Sequence, residues 1–121
     1  MGKVLTIEDD LLLRETLTEI LEVYGHEVIQ AGDGEEGVEM FSKITPDLVL
    51  CDVNMPKMNG FEVLAKLKTL VGSSEFPPFI FLSAKTEQKN INYGLELGAS
   101  DFVSKPYSAP ELLKLIDRWL K

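Results

Sequence analysis

Short runs of apolar and β-branched residues alternate along the chain with longer stretches whose apolar residues recur every three or four positions. Val4-Leu5-Thr6-Ile7, Glu27-Val28-Ile29-Gln30, Leu48-Val49-Leu50-Cys51, Phe79-Ile80-Phe81-Leu82 and Asp101-Phe102-Val103-Ser104 read as strands. Between the first two, Leu13, Leu17, Ile20 or Leu21, and Tyr24 fall at helical spacing, and Gly25 stops that helix. Asp33 with Glu36 three residues on predicts the cap of a second helix, with Val38 and Phe41 inward, Ile44 a further candidate, and Pro46 at its end. Phe61, Leu64 and Leu67, with Val71 as a further candidate, mark a third helix before a break at Gly72-Ser73-Ser74. Thr86 to Leu97 reads as a fourth, with Ile91 and Leu95 inward, Leu97 a further candidate and Gly98 closing it. The fifth starts at Ser108, with Pro110 in its first turn and Glu111 completing a capping pair. It buries Leu112, Leu115 or Ile116, and Trp119.

A strand followed by a helix thus occurs five times over. The third and fourth strands lack the polar alternation of a half-exposed sheet, so both of their faces should be covered. That is the mark of an α/β fold with a parallel sheet, flanking helices and right-handed crossovers. Five units are too few for an eight-stranded barrel, which leaves an open, doubly wound sheet. Ligands of such sheets bind beyond the carboxyl ends of the strands, where the strand order reverses. Residues with chemistry are therefore expected directly after strands one, three, four and five.

Composition narrows the classes. The 121 residues carry 12 Lys plus Arg against 20 Asp plus Glu, a formal charge of -8. The length fits a single domain spanning 1–121. The acid excess argues against direct nucleic-acid binding by this domain. The single cysteine, Cys51, excludes an internal disulfide and a cysteine-based zinc site; as a strand residue it is expected to be buried and inert. No apolar run approaches the length of a membrane span, and Met1-Gly2-Lys3-Val4-Leu5 enters a strand pattern directly and not a signal peptide. A small, acidic, soluble, cytoplasmic domain is expected.

The predicted strand ends do carry chemistry: Glu8, Asp9 and Asp10 after the first, Asp52 after the third, Ser83 after the fourth and Lys105 after the fifth. Each alone has a bland reading: a helix cap, a turn acid before Pro56, a loop hydroxyl, a solvated charge. Their collection at one edge does not. Asp9, Asp52 and Glu8 brought together would repel one another unless a cation neutralised them. A hard divalent ion with oxygen ligands suits such a site, and Mg2+ fits best because it tolerates few protein ligands when a phosphate supplies the rest. Lys105 and the Ser83 hydroxyl could then hold the oxygens of a phosphoryl group. No histidine or cysteine is placed for acid and base work, and His26 lies at the far end, before the second strand. The chemistry implied is in-line phosphoryl transfer to a carboxylate, driven by positioning and electrostatics.

Four stretches carry a family resemblance. They are Ile7-Glu8-Asp9-Asp10, the segment from Pro46 through Asp52 and Pro56 to Gly60, Phe81-Leu82-Ser83-Ala84-Lys85, and Gly98-Ala99-Ser100-Asp101-Phe102-Val103-Ser104-Lys105-Pro106. In this order and at these strand ends, the chain resembles the receiver domains of two-component response regulators over essentially its whole length. The resemblance implies a flavodoxin-like sheet of order 2-1-3-4-5 with five flanking helices. It implies Asp52 as phosphoacceptor for a sensor histidine kinase or histidine phosphotransfer protein, and Mg2+ bound by Glu8, Asp9, Asp52 and the main-chain carbonyl of Asn54. Ser83 would move toward the phosphoryl group, Ala84 would leave room for the donor, Lys105 would pair with phosphoryl oxygens, and the Lys105-Pro106 bond would be cis. Phe102 would be the aromatic switch. Asn54 and Lys85 would border the path of the water that resets it.

Glu8 stands where Asp is commoner in that family, Ser83 where Thr is, and Phe102 where Tyr is. The last two changes bear on the strength of the switch and leave the acceptor chemistry intact. Three rivals are weaker on the residues. A haloacid-dehalogenase-type phosphatase needs a second Asp two after the nucleophile, where Asn54 stands. A non-phosphorylated interaction module would be expected to lack the acidic pair, the acceptor or the lysine. A flavodoxin-like electron carrier would need a Ser/Thr/Gly-rich phosphate loop after the first strand. Met55 and Met58 read as packing or turn residues, residues 72–78 as a surface loop, and Trp119 as a core anchor. No effector region follows Lys121, so either a stand-alone receiver or part of a longer regulator or hybrid kinase is expected. The output, the cognate kinase and the oligomeric state are left open.

Overall fold

A computed structural model describes residues 2–71, 76–84 and 90–120. The chain runs β1 (Lys3–Ile7), α1 (Leu11–Val23), β2 (Glu27–Ala31), α2 (Gly34–Ile44), β3 (Leu48–Asp52), α3 (Gly60–Val71), β4 (Phe79–Ser83), α4 (Ile91–Glu96), β5 (Asp101–Ser104) and α5 (Ala109–Leu120). All strand pairs are parallel, in the order β2-β1-β3-β4-β5. This is the expected doubly wound sheet, and its order reverses between β1 and β3.

Side-chain alternation divides the core between the two faces. Val4, Leu48, Leu50, Ile80, Leu82 and Val103 pack with Leu17 and Leu21 of α1 and Leu112, Leu113 and Ile116 of α5. Leu5, Ile7, Val49, Cys51, Phe79 and Phe81 pack with Phe41 of α2 and Val63, Leu64 and Leu67 of α3. β3 and β4 are buried at every position, which is why they show no polar alternation. α4 lies on the second face. Its Gly94 sits so close to the Phe81 ring that a Cβ there would meet Phe81 Cε2 at 2.5 Å.

The helix starts are held by their own side chains. The Asp10 carboxylate accepts from the Leu13 amide (3.1 Å), and the Asp33 carboxylate from the Glu36 amide (2.8 Å). Ser108 and Glu111 cap each other's amides at 3.2 Å, the reciprocal box predicted for α5. An equivalent Asn59–Glu62 box at 2.9 Å opens α3 and went unread in the sequence.

Several expected core positions differ. Leu13 is 43% exposed, Tyr24 64% and Val71 47%, because each lies in the first or last turn of its helix, or just beyond it, where the inward stripe runs off the sheet. Leu95 is 39% exposed; Ile91 and Gly94 supply the buried side of α4, because a glycine brings that helix nearest the sheet. Leu113 and Ile116 are buried in α5 while Trp119 is half-buried, its indole N–H donating to Asp101 Oδ2 at 3.1 Å. Met55 is buried and Met58 packs against the same core, in keeping with a packing role. Phe76 stacks on Phe41 with centroids 5.6 Å apart, so the end of the 72–78 segment is anchored in the core. The break at 72–74 and the expected helical residues 86–89 lie outside the described residues.

Gly60 fixes how the loop after β3 returns. Its N–H donates to the Val53 carbonyl at 2.8 Å, and an added Cβ would meet Asp52 O at 2.6 Å and Val53 Cα at 3.0 Å. Both obstacles are backbone and cannot swing aside. Gly60→Ala is therefore expected to lower stability by about 2 to 3 kcal/mol, read from the urea midpoint; an unchanged midpoint would contradict this packing.

Candidate functional site

Parallel pairing sets the carboxyl ends of the strands side by side. Ile7 is in register with Cys51, so Glu8 and Asp52 fall opposite each other one step on; Asp52 is in register with Leu82 and Ser83 with Ser104. The Glu8 amide donates to Ala31 O at 3.1 Å, Val53 to Leu82 O at 3.1 Å and Lys105 to Ser83 O at 2.7 Å, extending the ladders into the loops. The site residues are thus held by main-chain bonds on rigid strands.

Glu8, Asp9 and Asp52 each offer a carboxylate oxygen, and these oxygens all lie within 4.8 Å of one another. Glu8 is 2% exposed and Asp52 5%, while Asp9 faces solvent. Lys105 Nζ lies 3.0 Å from Asp52 Oδ1 and 3.3 Å from Glu8 Oε1. Burial, then the Asp52 charge, pushes the Glu8 carboxyl up from 4.5 to about 7, with Lys105 and the Asp10 amide opposing. Burial acts to lower the Lys105 ammonium, but the hydrogen bond and charge of Asp52 and the charge of Glu8 outweigh it and hold it above the usual lysine value. The lysine therefore stays charged and the acids are underneutralised. Three oxygens converging from carboxylates, with one acid already favouring a proton, form a donor set that fits a hard divalent cation.

Ser83, the last residue of β4, is fully buried, and its Oγ has no hydrogen-bond partner among the described residues. A buried hydroxyl without a partner is costly and keeps a donor free. Phe102 is half-buried, in register with Phe81 and packed against the α2–α3 core. Asn54 is exposed in the loop leaving β3. The Lys105-Pro106 bond is cis. Lys85 lies outside the described residues. Asp10 takes the bland role of cap, and His26 lies at the other end of the sheet, accepting through Nδ1 from the Gly2 amide at 3.2 Å. Burial, with Asp52 and Glu8 nearby, pushes the Cys51 thiol well up, so it is a thiol packed in the core.

Two features were not read from the sequence. Arg14 of α1 donates to the Glu8 carbonyl at 2.9 Å. An open groove of about 380 Å³ adjoins the site, lined by Leu13, Thr16, Ile20, Lys105, Pro106 and Tyr107. Leu11 (57% exposed) and Leu12 (75%) stand beside Leu13 on the same helix end. The triple leucine was visible in the sequence, but helical spacing directed attention to Leu13 alone, as a core residue.

Residues 4–117 match the family model described as the response regulator receiver domain. The chain belongs to the response regulator receiver domain family. The receiver domain is 38% identical over 110 residues to a probable transcriptional regulator, ycf27, of Porphyridium aerugineum, covering 91% of this chain and 44% of that protein. It is 36% identical over 111 residues to the DNA-binding response regulator MtrA of Mycobacterium leprae, covering 92% and 48%. The receiver domain thus spans about half the length of the curated relatives it matches. Among solved structures it superposes on the chemotaxis protein CheY4 of Vibrio cholerae with a TM-score of 0.91 at 32% identity, covering 99% of each chain. As such it is part of two-component signalling. Among the described residues no helix is long and apolar enough to cross a membrane.

The raised Glu8 value has a consequence for stability. An acid whose folded value lies above its unfolded one imposes no penalty at low pH, where both states are protonated. The penalty grows as pH rises from about 4.5 through about 7. Without added divalent ions, Glu8→Gln is expected to be more stable than the parent at pH 8, by about 1 to 3 kcal/mol. That gain should fade as the pH falls toward 5. Urea unfolding at both pH values checks it; a gain equal at the two would show that burial of charge is not the cause.

Proposed function

We propose that this chain is a single receiver module, spanning 1–121, that accepts a phosphoryl group on Asp52 from a phosphohistidine of a sensor histidine kinase or histidine phosphotransfer protein. The observation that carries the reading is the buried Asp52 carboxylate flanked by Glu8, Asp9 and the Lys105 ammonium at one sheet edge. Glu8, Asp9, Asp52 and the Asn54 carbonyl would hold Mg2+, which when bound neutralises the acids and offsets charge on the transferred group. In the transfer the P–N bond to the imidazole breaks as a P–O bond to an Asp52 oxygen forms, and the imidazole leaves neutral after taking up a proton.

The product adds roughly -1.5 to -2 of charge where Asp52 stood. Lys105, already 3.0 Å from that carboxylate, is placed to pair with the new oxygens. Ser83, unpartnered among the described residues, has a donor to offer them; satisfying a buried hydroxyl favours the inward position by about 1 to 3 kcal/mol. Movement of Ser83 would open space for Phe102 to repack, altering the face formed by α4, β5 and α5. Such a change shifts a pre-existing equilibrium. Without a phenolic hydroxyl, Phe102 contributes packing alone to the inward state. Slow hydrolysis of the acyl phosphate would reset the switch, so the domain acts as a self-resetting phosphoacceptor and not as a turnover enzyme.

The exposed leucines at the start of α1 and the groove beside Lys105 and Tyr107 give a protein donor an apolar landing surface next to Asp52. The effector is unidentified; the DNA binding named for MtrA is a property of that protein, and the charge of -8 here disfavours nucleic acid as the partner of this module. The setting is the cytoplasm, where kinases of this class deliver phosphoryl groups.

With phosphoramidate as a small donor, intact mass should show the gain of one phosphoryl group in the parent only when Mg2+ is present, and none above background in Asp52→Asn. Ser83→Ala should still be labelled but show no change in Phe102 ring resonances on labelling. Undiminished labelling of Asp52→Asn would overturn the acceptor assignment.

A further inference from the structure

The carbonyl of Glu8 is gripped by a side chain that the chemistry above does not use. Arg14, one turn into α1, reaches back over the β1–α1 loop, where its Nη1 donates to Glu8 O at 2.9 Å. Its Nε donates to the side-chain oxygen of Gln30 on β2 at 3.2 Å. The guanidinium therefore ties together the helix start, the acidic loop and the edge strand. Gly32 makes room for it: a Cβ at Gly32 would lie 2.9 Å from Arg14 Nη1 and 3.7 Å from its Cζ. The Gly32 amide in turn donates to Glu36 Oε1 at 2.6 Å, which fixes the β2–α2 turn against α2.

Glu8 and Asp9 are consecutive residues of a loop, so the directions of their carboxylates depend on how the peptide between them is turned. The Glu8 carbonyl belongs to that peptide, and it accepts from Arg14. We propose that Arg14 is a positioning residue for the divalent-cation site, acting through the Glu8 carbonyl and seated by Gln30 and the bare backbone of Gly32. This rests on the reading of Glu8, Asp9 and Asp52 as cation ligands. Side chains that hold metal ligands in place typically affect affinity by about 10- to 100-fold.

The sign of the effect separates this role from two simpler ones. A guanidinium that acted only as a nearby positive charge would repel the cation, and its removal would tighten binding. A guanidinium that only stabilised the fold would leave the affinity of the folded protein unchanged. Positioning requires that removal weaken binding.

The test is calorimetric titration of the 121-residue chain with MgCl2 for the parent, Arg14→Ala, Gly32→Val and Asp9→Asn, with circular dichroism and urea midpoints recorded for each. Gly32→Val keeps the arginine and its charge but occupies its seat, and it decides the matter if Arg14→Ala fails to fold. The expected result is Mg2+ affinity about tenfold weaker in both Arg14→Ala and Gly32→Val, with native dichroism. Unchanged or tighter binding in the folded variants, while the parent binds and Asp9→Asn does not, would overturn the role of Arg14 alone. A parent that binds no Mg2+ would overturn the cation site and this inference together.

Discussion

The site depends on one crowded electrostatic arrangement: two buried carboxylates, Glu8 and Asp52, share the ammonium of Lys105 at the carboxyl edge of a parallel sheet. One positive charge cannot neutralise two buried acids and the adjacent Asp9. Burial, with the Asp52 charge adding to it and Lys105 only partly opposing, pushes the Glu8 carboxyl to about 7. A group of acids held in this state has a standing preference for additional positive charge. Lys105 offsets part of the acids' charge from 3.0 Å at Asp52 and 3.3 Å at Glu8.

The architecture makes that crowding affordable. Parallel ladders continue through the first loop residues, so Glu8, Val53 and Lys105 are pinned by main-chain bonds to neighbouring strands. Burial of β3 and β4 at every position makes the floor of the site rigid and apolar, which is what raises the cost of charge there. At its rim the backbone folds back sharply at Gly60, and Arg14 closes the loop from the β2 side. Ser83 is the complementary element. It is a buried hydroxyl with no partner among the described residues, at the same edge as the acids.

Most of this was legible in the residues. Continuous apolar runs in β3 and β4 revealed a two-sided parallel sheet, and the acids, serine and lysine after the strands marked its working edge. Spacing could not tell which turns of a helix overhang the sheet, so Leu13, Tyr24 and Leu95 read as core and prove exposed. Nor could it reveal side-chain bonds that depend on packing between separate elements, such as Arg14 to Glu8 and Gln30, or Trp119 to Asp101. The Asn59–Glu62 box was present in the sequence but masked by the loop motif that contains Asn59. Family resemblance carried the rest, in particular the assignment of roles to Ser83 and Phe102, which neither periodicity nor charge would supply.

The central claim, that underneutralised buried acids create the demand for a cation, is tested most directly by following the side-chain carboxyl carbon of Glu8 by NMR across pH, with and without Mg2+. The account predicts a midpoint near 7 in the metal-free protein, a lower midpoint in Asp52→Asn, and a further fall in the parent at saturating Mg2+. A Glu8 midpoint at the ordinary 4.5 in the metal-free protein, unmoved by Mg2+, would contradict it.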